Sequence, residues 1–413
     1  MLIVHPTRAT HLARRFRAFC THAPGTDDPS RYKAALIPEG TIEPLRRGLA
    51  SALSKSRVRT KLPKYLGFID TAEKARSALP SILANDVVGV DCEGVGLSRW
   101  GRLCVMQISA GDTVFVCDAL RAGVIENLRP VLEASHIRKV FHDCREDSAA
   151  LWEQFSIKLE GVYDTQAAHL LLLKRQSQAQ YHISLDDLCV KIFGVRLGTI
   201  KGEESAEGVV AKMAQDPNVW FYRPLQPDMV SYAARDVMCL PLLKELMSRP
   251  GLFLREESTS SSVGVALLGE SEVMARSEEH VAYCHLNEHI RRPRELEKRG
   301  RRLDALLTAV NSSGMYFKLN CGRQGVVCRP ESMAKVHDLQ VGDVVQCYVS
   351  GWNPSGSVIF LERYERGTRE AAMIDTVHEI RHPDMTCPEG MYGRSTTALL
   401  QKLDDKRPLT RGF

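Results

Sequence analysis

Val87-Val88-Gly89-Val90-Asp91-Cys92-Glu93 opens with four small or β-branched residues, the composition of a strand buried on both faces inside a covered sheet. Asp91 and Glu93 follow two residues apart, so the pleat of a strand turns both carboxylates to one face. Two carboxylates side by side repel and lose solvation unless something positive lies between them. A hard divalent cation, Mg²⁺ or Mn²⁺, is the natural candidate, because both prefer carboxylate oxygen. An Asp-x-Glu pair alone also describes a strand end with two solvated acids, so the pair needs partners elsewhere in the chain.

Around that strand the pattern alternates between strand and helix. Thr71 to Leu83 is expected as a helix with Thr71 as its N-cap. Leu103 to Ser109 and Thr113 to Asp118 are expected as strands, turned by Ala110-Gly111-Asp112. A helix over Val124 to Ala134, a short strand over Lys139 to His142 and a helix over Asp147 to Phe155 follow. Three adjacent strands and then helix, strand, helix make a mixed sheet with helices on its faces, an α/β domain. Further on come an apolar helix at 165–173, a Gln-rich loop from Lys174 to His182, and a helix capped by Ser184. A long helix from about Pro227 to Met247 closes the domain.

Two places supply partners for Asp91 and Glu93. Asp147 lies at a helix start in His142-Asp143-Cys144-Arg145-Glu146-Asp147, and Tyr232-Ala233-Ala234-Arg235-Asp236 sits inside the long helix. Tyr232 and Asp236 are four apart and share one helical face. Four carboxylates and a phenol at one edge of a sheet are what two-metal phosphodiester hydrolysis requires. Two cations about 4 Å apart clamp the scissile phosphate, one activating water and one stabilising the leaving oxygen. Tyr232 would orient that water.

The order Asp-x-Glu, then His-Asp-Cys-Arg-x-x-Asp-x-x-x-Leu, then Tyr-x-x-x-Asp resembles the DEDDy 3′-to-5′ exonucleases, the ribonuclease D group. Gly94, Leu97-Ser98-Arg99, Gly101, Leu103-Cys104, Gln107, and Trp220 with Arg223-Pro224-Leu225 are similar to the Egalitarian and exonuclease 3′-5′ domain-containing branch. The resemblance covers about residues 66–250. It implies a ribonuclease H-like mixed sheet flanked by helices, with Asp91, Glu93, Asp147, Tyr232 and Asp236 as the catalytic set. It further implies that Asp91, Glu93, Asp147 and Asp236 hold two Mg²⁺ or Mn²⁺ ions, with Tyr232 positioning water. Some members of the branch have lost acids and act as RNA-binding scaffolds; this sequence keeps all five positions. Of the other residues nearby, Asp143 and Glu146 are expected as solvated helix-start acids, and His142 as a satisfied, half-buried residue. Leu97 and Trp100 serve either as wedges against a terminal base or as core.

Beyond Leu303 the signal switches to short strands at Gly314 to Leu319, Gln324 to Cys328, Val344 to Ser350 and Ser357 to Glu362, separated by turn residues. Residues 303–364 are expected as a small β-barrel and resemble an OB-fold of the type repeated in ribosomal protein S-one. Tyr316, Phe317, Tyr348 and Trp352 would offer faces for bases, with Lys318, Arg323 and Arg329 meeting phosphates. Alternation lets only one of Tyr316 and Phe317 face outward.

At 413 residues, 44% of them hydrophobic, the chain has room for two or three domains with real cores. No apolar run reaches membrane-spanning length, so no membrane partner is expected. A formal charge of +5 permits a nucleic-acid partner without arguing for one. The 12 cysteines form no Cys-x-x-Cys pair, which suits reduced thiols better than a disulfide framework. Residues 1–26 are basic and free of acids, as in a mitochondrial transit peptide or an RNA-touching arm. The remaining divisions are a linker over 27–65, a helical charged connector over 251–302 and an irregular tail over 365–413, with protein partners conceivable at either end. The expected activity is 3′-5′ exoribonucleolytic: hydrolysis of single-stranded RNA from its 3′ end, releasing nucleoside monophosphates. DNA is the alternative substrate, and a catalytically silent RNA-binding or assembly factor the alternative role.

Overall fold

In the computed structural model the described residues are 35–36, 49, 59–60, 62–197, 206–249, 269–334, 336 and 338–364. The expected targeting segment or basic arm at 1–26, most of the 27–65 linker, and the 365–413 tail lie outside them. No helix among the described residues is long and apolar enough to cross a membrane.

Seven strands form the first sheet: β1 (Ala35–Leu36), β2 (Tyr65–Ile69), β3 (Val87–Val95), β4 (Arg102–Ala110), β5 (Thr113–Asp118), β6 (Arg138–Phe141) and β7 (Val162–Asp164). Their order is β1-β2-β5-β4-β3-β6-β7. β4 runs antiparallel to both β3 and β5, whereas β3, β6 and β7 run parallel. This is a mixed sheet, covered on both faces. Helix α1 (Ala72–Leu83) starts where Thr71 Oγ1 accepts from Lys74 N. With α2 (Val124–Asn127), α3 (Arg129–Leu132) and α4 (Arg145–Phe155) it buries Val88, Val90, Met106, Ile108 and Phe115.

Helix α5 (Thr165–Arg175) leads to α6 (Leu185–Phe193) and α7 (Ala206–Gln215). The other sheet face, Val105, Val114 and Val116, is closed by α8 (Pro227–Met238) and α9 (Leu240–Met247). Two expected long helices are each split. The one over Val124 to Ala134 breaks at Leu128, with Pro130 opening α3, and the one over Pro227 to Met247 breaks at Cys239, with Pro241 opening α9. A proline inside a helix has no N–H to give, so each break falls just before one.

The 251–302 stretch contributes more than a connection. Helix α10 (Glu270–Ala282) buries Val273, Ser277, His280 and Val281, and Ser277 Oγ accepts from Asp164 N at the end of β7.

A second sheet closes on itself: β8 (Arg302–Asn311), β9 (Gly314–Lys318), β10 (Gln324–Val327), β11 (Val344–Trp352) and β12 (Val358–Arg363), ordered β10-β12-β11-β8-β9. β10 and β12 are parallel and the other pairs antiparallel. Helix α11 (Pro330–Ala334) lies between β10 and β11 in the chain. Leu303, Leu307, Phe317, Val327, Val349 and Ile359 fill the interior.

The barrel packs directly on the first domain. Arg99 Nη2 donates to Asn287 O (3.0 Å) and Ile290 O (2.6 Å), while Asn287 Nδ2 donates to Asp304 O and Leu319 O of the barrel. Trp100 packs against the barrel interior cluster.

Candidate active site

β3 pairs with β6 only over Val87–Gly89, so beyond Gly89 the two parallel strands part. Crevices at the carboxyl ends of parallel strands are the usual place for ligands, and this one holds Asp91 and Glu93. Both lie on the face covered by α8. That helix comes close because residue 89 is glycine: a Cβ there would stand 2.6 Å from Val237 O and 3.0 Å from Pro241 Cδ. The approach delivers Asp236. Carboxylate oxygens of Asp91, Glu93 and Asp236 lie within 4.8 Å of one another.

Asp147 enters from the opposite layer, on the first turn of α4. It accepts a hydrogen bond from the Cys92 thiol, yet its Oδ1 is buried without a partner. Tyr232 lies one turn before Asp236, its ring 6.1 Å from the ring of buried Trp220. The five residues singled out in the sequence therefore converge, although they come from β3, α4 and α8.

The cluster is electrostatically unhappy on its own. Burial, then the charge of Asp236, pushes Asp91 up to about 8. Burial pushes Asp236 up to about 7, against the pull of Arg235. Glu93 is raised well above the usual carboxylate range by burial and by Asp91, Asp236 and Asp147. Asp147 is raised by burial and by Asp91. Tyr232 is raised too, chiefly by Asp236 and then by burial, so its phenol stays protonated. Four crowded carboxylates with an orphaned oxygen fit divalent cations, and an all-oxygen donor set suits Mg²⁺ or Mn²⁺.

A second acidic group, Asp143, Asp164 and His280, is of a different kind. Asp164 accepts from the backbone N–H of Asp143, Cys144 and Gln166, and from His280 Nδ1. Arg145 bonds both Asp143 and His280. Every charge there already has a partner, so this is a knot that ties the turn after β6, with no call for a cation.

The expected nucleic-acid contacts fare unevenly. Phe317 is fully enclosed in the barrel and Tyr316 is 8% exposed, so neither ring is open to a base. Both sides of β9 are covered, which alternation alone does not reveal. Lys318 ion-pairs with Asp143 (3.1 Å) and Glu146 (3.8 Å), and so faces the first domain instead of a phosphate. Asp143 and Glu146 are accordingly half-buried partners, not solvated acids. Although burial pushes Asp143 up, Arg145 and Lys318 hold it well below the usual range. Arg323 pairs with Glu297 and Arg329 with Glu362. Trp100 is taken up by the barrel contact, under the Arg99 guanidinium at 4.3 Å. Leu97 is half-buried against the sheet core. Tyr348 is half-buried, in register with Arg302 and Glu362, while Trp352 is 36% exposed. His142 sits between Thr165 Oγ1 and Ile183 O, the satisfied role expected of it.

Some of the supporting residues were visible only as motif letters. Arg223 grips Asp118 with two nitrogens (2.6 and 2.8 Å) and donates to Cys104 O and Trp220 O. That clamp pins the short helical turn Val219–Phe221 to the sheet, seats Trp220 beside Tyr232, and leaves Phe221 and Tyr222 53% and 54% exposed. Gln107, directly opposite Asp91 in register, is fully buried with neither amide atom partnered.

Residues 67–249 match the model of a 3′-5′ exonuclease family. Human piRNA biogenesis protein EXD1 is 29% identical over 187 residues, 43% of this chain and 36% of that protein. Ribonuclease D of Nitrobacter hamburgensis is 28% identical over 176 residues, 42% of this chain and 41% of that one. The matched stretch thus spans less than half of either relative's own length. Among solved structures, Trypanosoma brucei RNase D aligns with 55% of this chain and 72% of its own, at 23% identity and a TM-score of 0.41.

Proposed function

We propose that the 3′-5′ exonuclease domain carried by residues 67–249 is a working, metal-dependent enzyme that trims single-stranded RNA from its 3′ end. The observation that carries this is the convergence of Asp91, Glu93 and Asp236 within 4.8 Å, with Asp147 and its orphaned oxygen beside them.

Asp91, Glu93, Asp147 and Asp236 would hold two Mg²⁺ or Mn²⁺ ions, which supply water activation and stabilisation of the leaving oxygen. Tyr232, kept protonated by its acidic neighbours, donates a hydrogen bond that orients the attacking water. Trp220 and Arg223 hold that tyrosine and the adjoining turn in place. Exposed Phe221 and Tyr222, next to Trp220 in that turn, offer ring faces on which the last bases of a flexible strand stack without sequence preference. The barrel's strand order, with its third and fifth strands parallel, supports reading it as an OB-fold, a module type that binds single strands. Trp352 is its most exposed aromatic candidate for a base.

The test is a denaturing-gel time course on 5′-labelled single-stranded RNA and DNA with Mg²⁺ or Mn²⁺. Wild type is run beside an Asp91→Asn, Glu93→Gln double variant. A ladder shortening from the 3′ end of RNA, absent in the variant, is the expected result. Intact RNA in both lanes with binding preserved in a shift assay would leave an RNA-binding scaffold, and faster trimming of DNA would reassign the substrate.

A further inference from the structure

Lys318 belongs to the barrel, yet its ammonium lies 3.1 Å from Asp143 Oδ2 and 3.8 Å from Glu146 Oε1. Asp143 lies two residues before α4 and Glu146 in its first turn, where it immediately precedes Asp147. Two residues beyond Lys318, Asn320 N donates to Tyr283 Oη (2.6 Å), which in turn donates to Glu146 Oε1 (3.0 Å). Asn320 Nδ2 holds Cys284 O and Leu286 O, each at 2.9 Å. One end of the barrel strand β9 therefore grips the first turn of α4 through a charge pair and a phenol relay.

That turn needs gripping. Glu146 and Asp147 crowd it, with Asp143 just before them, and Arg145 is already committed to Asp143 and His280. Glu146 Oε2 is buried without a partner. Without Lys318, Glu146 would keep one neutral phenol against the cost of a buried charge. It would swing toward water and take the helix start with it.

We infer that Lys318 is a positioning residue for Asp147, so that the docked barrel completes the metal centre instead of merely holding substrate beside it. This rests on the nuclease proposed above. It differs from a phosphate-contacting lysine in acting through Glu146 and not on RNA. Residues surrounding metal ligands commonly govern metal affinity about 10–100-fold.

The experiment uses the full chain stripped of metal, as wild type, Lys318→Met, Lys318→Arg and Glu146→Gln. Mn²⁺ is titrated and followed by the shift in melting temperature and by calorimetry. Lys318→Met is expected to raise the Mn²⁺ concentration for half-maximal stabilisation about tenfold, with Lys318→Arg restoring it to within about threefold. kcat on labelled RNA falls by a similar factor while KM and metal-free RNA binding stay within about twofold. The Lys318→Met, Glu146→Gln double variant, which also removes the stranded charge, is expected to recover part of the loss. An unchanged Mn²⁺ titration in Lys318→Met overturns the inference, and so does a raised KM with kcat intact, which would make Lys318 an RNA contact. Should Lys318→Met fail to fold, Lys318→Gln carries the same comparison, and an unchanged titration there counts equally against the relay. Should wild type trim nothing, the nuclease proposal fails separately, while the Mn²⁺ titration still decides on Lys318.

Discussion

Burial pushes Asp91 up to about 8 and Asp236 up to about 7, against about 4 for an ordinary carboxylate. Between those limits the metal-free folded chain binds more protons than the unfolded chain, so these groups lower stability as pH rises from about 4 to 8. Thermal melts in chelator should therefore lose several degrees between pH 5 and pH 8. Added Mn²⁺ should restore more at pH 8, where fewer protons have to be displaced from its ligands. Asp91→Asn removes one of the repelling charges and should raise the metal-free melting temperature at pH 8 by roughly 3 °C. It should also abolish trimming, by roughly a thousandfold if one cation is lost; a variant that is no more stable without metal would contradict the repulsion described. Tyr232→Phe keeps the ring beside Trp220 but loses the hydroxyl, and should cut kcat about 10–100-fold with Mn²⁺ binding intact. At this scale the pairs Asp91/Glu93 and Tyr232/Asp236 were readable in advance, because spacing of two on a strand and four on a helix puts side chains on one face; Asp147 joined them through the family resemblance. The barrel contacts were not: the pattern at Tyr316-Phe317-Lys318 says which residues share a face, but not what lies against it.

The close contact of β3 with α8 is where strand and helix decide the site. Gly89→Ala would place a Cβ 2.6 Å from Val237 O, so α8 must move or the strand must bend. The expected cost is about 1–3 kcal/mol, the range for an overfilled contact. Denaturant melts should show this loss of stability, with trimming falling far more than stability because Asp236 rides on the displaced helix. Retained activity would mean that the helix position is not what sets the ligand geometry. Strands β4 and β5 were readable to within a residue, since continuous apolar runs bounded by Ala110-Gly111-Asp112 have few other solutions. Four strands were missed. Strands β1 and β7 are two and three residues long, and β2 follows a Lys- and Pro-rich stretch. Strand β8, Arg-Leu-Asp-Ala-Leu-Leu-Thr-Ala-Val-Asn, is rich in helix formers and becomes a strand because β9 and β11 pair with it from both sides. Local propensity loses to such pairing.

The two domains meet through Arg99, Trp100, Asn287, Tyr283 and Lys318, all engaged across the junction. Calorimetry of the whole chain should accordingly show one main unfolding transition. Trp100→Ala, which removes a half-buried aromatic from the contact, should split it into two. Two transitions already present in wild type would show that the junction is too weak to couple the domains. That the chain holds an α/β unit followed by a small barrel was evident from the change in strand pattern near Leu303. Their junction was not evident, because Arg99 and Asn287 meet only in space and no local periodicity encodes such a distance. The same junction has a consequence for the making of the protein. Asp236 leaves the ribosome about eighty residues ahead of Lys318, on the order of ten seconds at ordinary rates of synthesis. During that interval the acids can gather but the α4 turn has no barrel strand against it, so the acidic site reaches its final surroundings only once the barrel has been made.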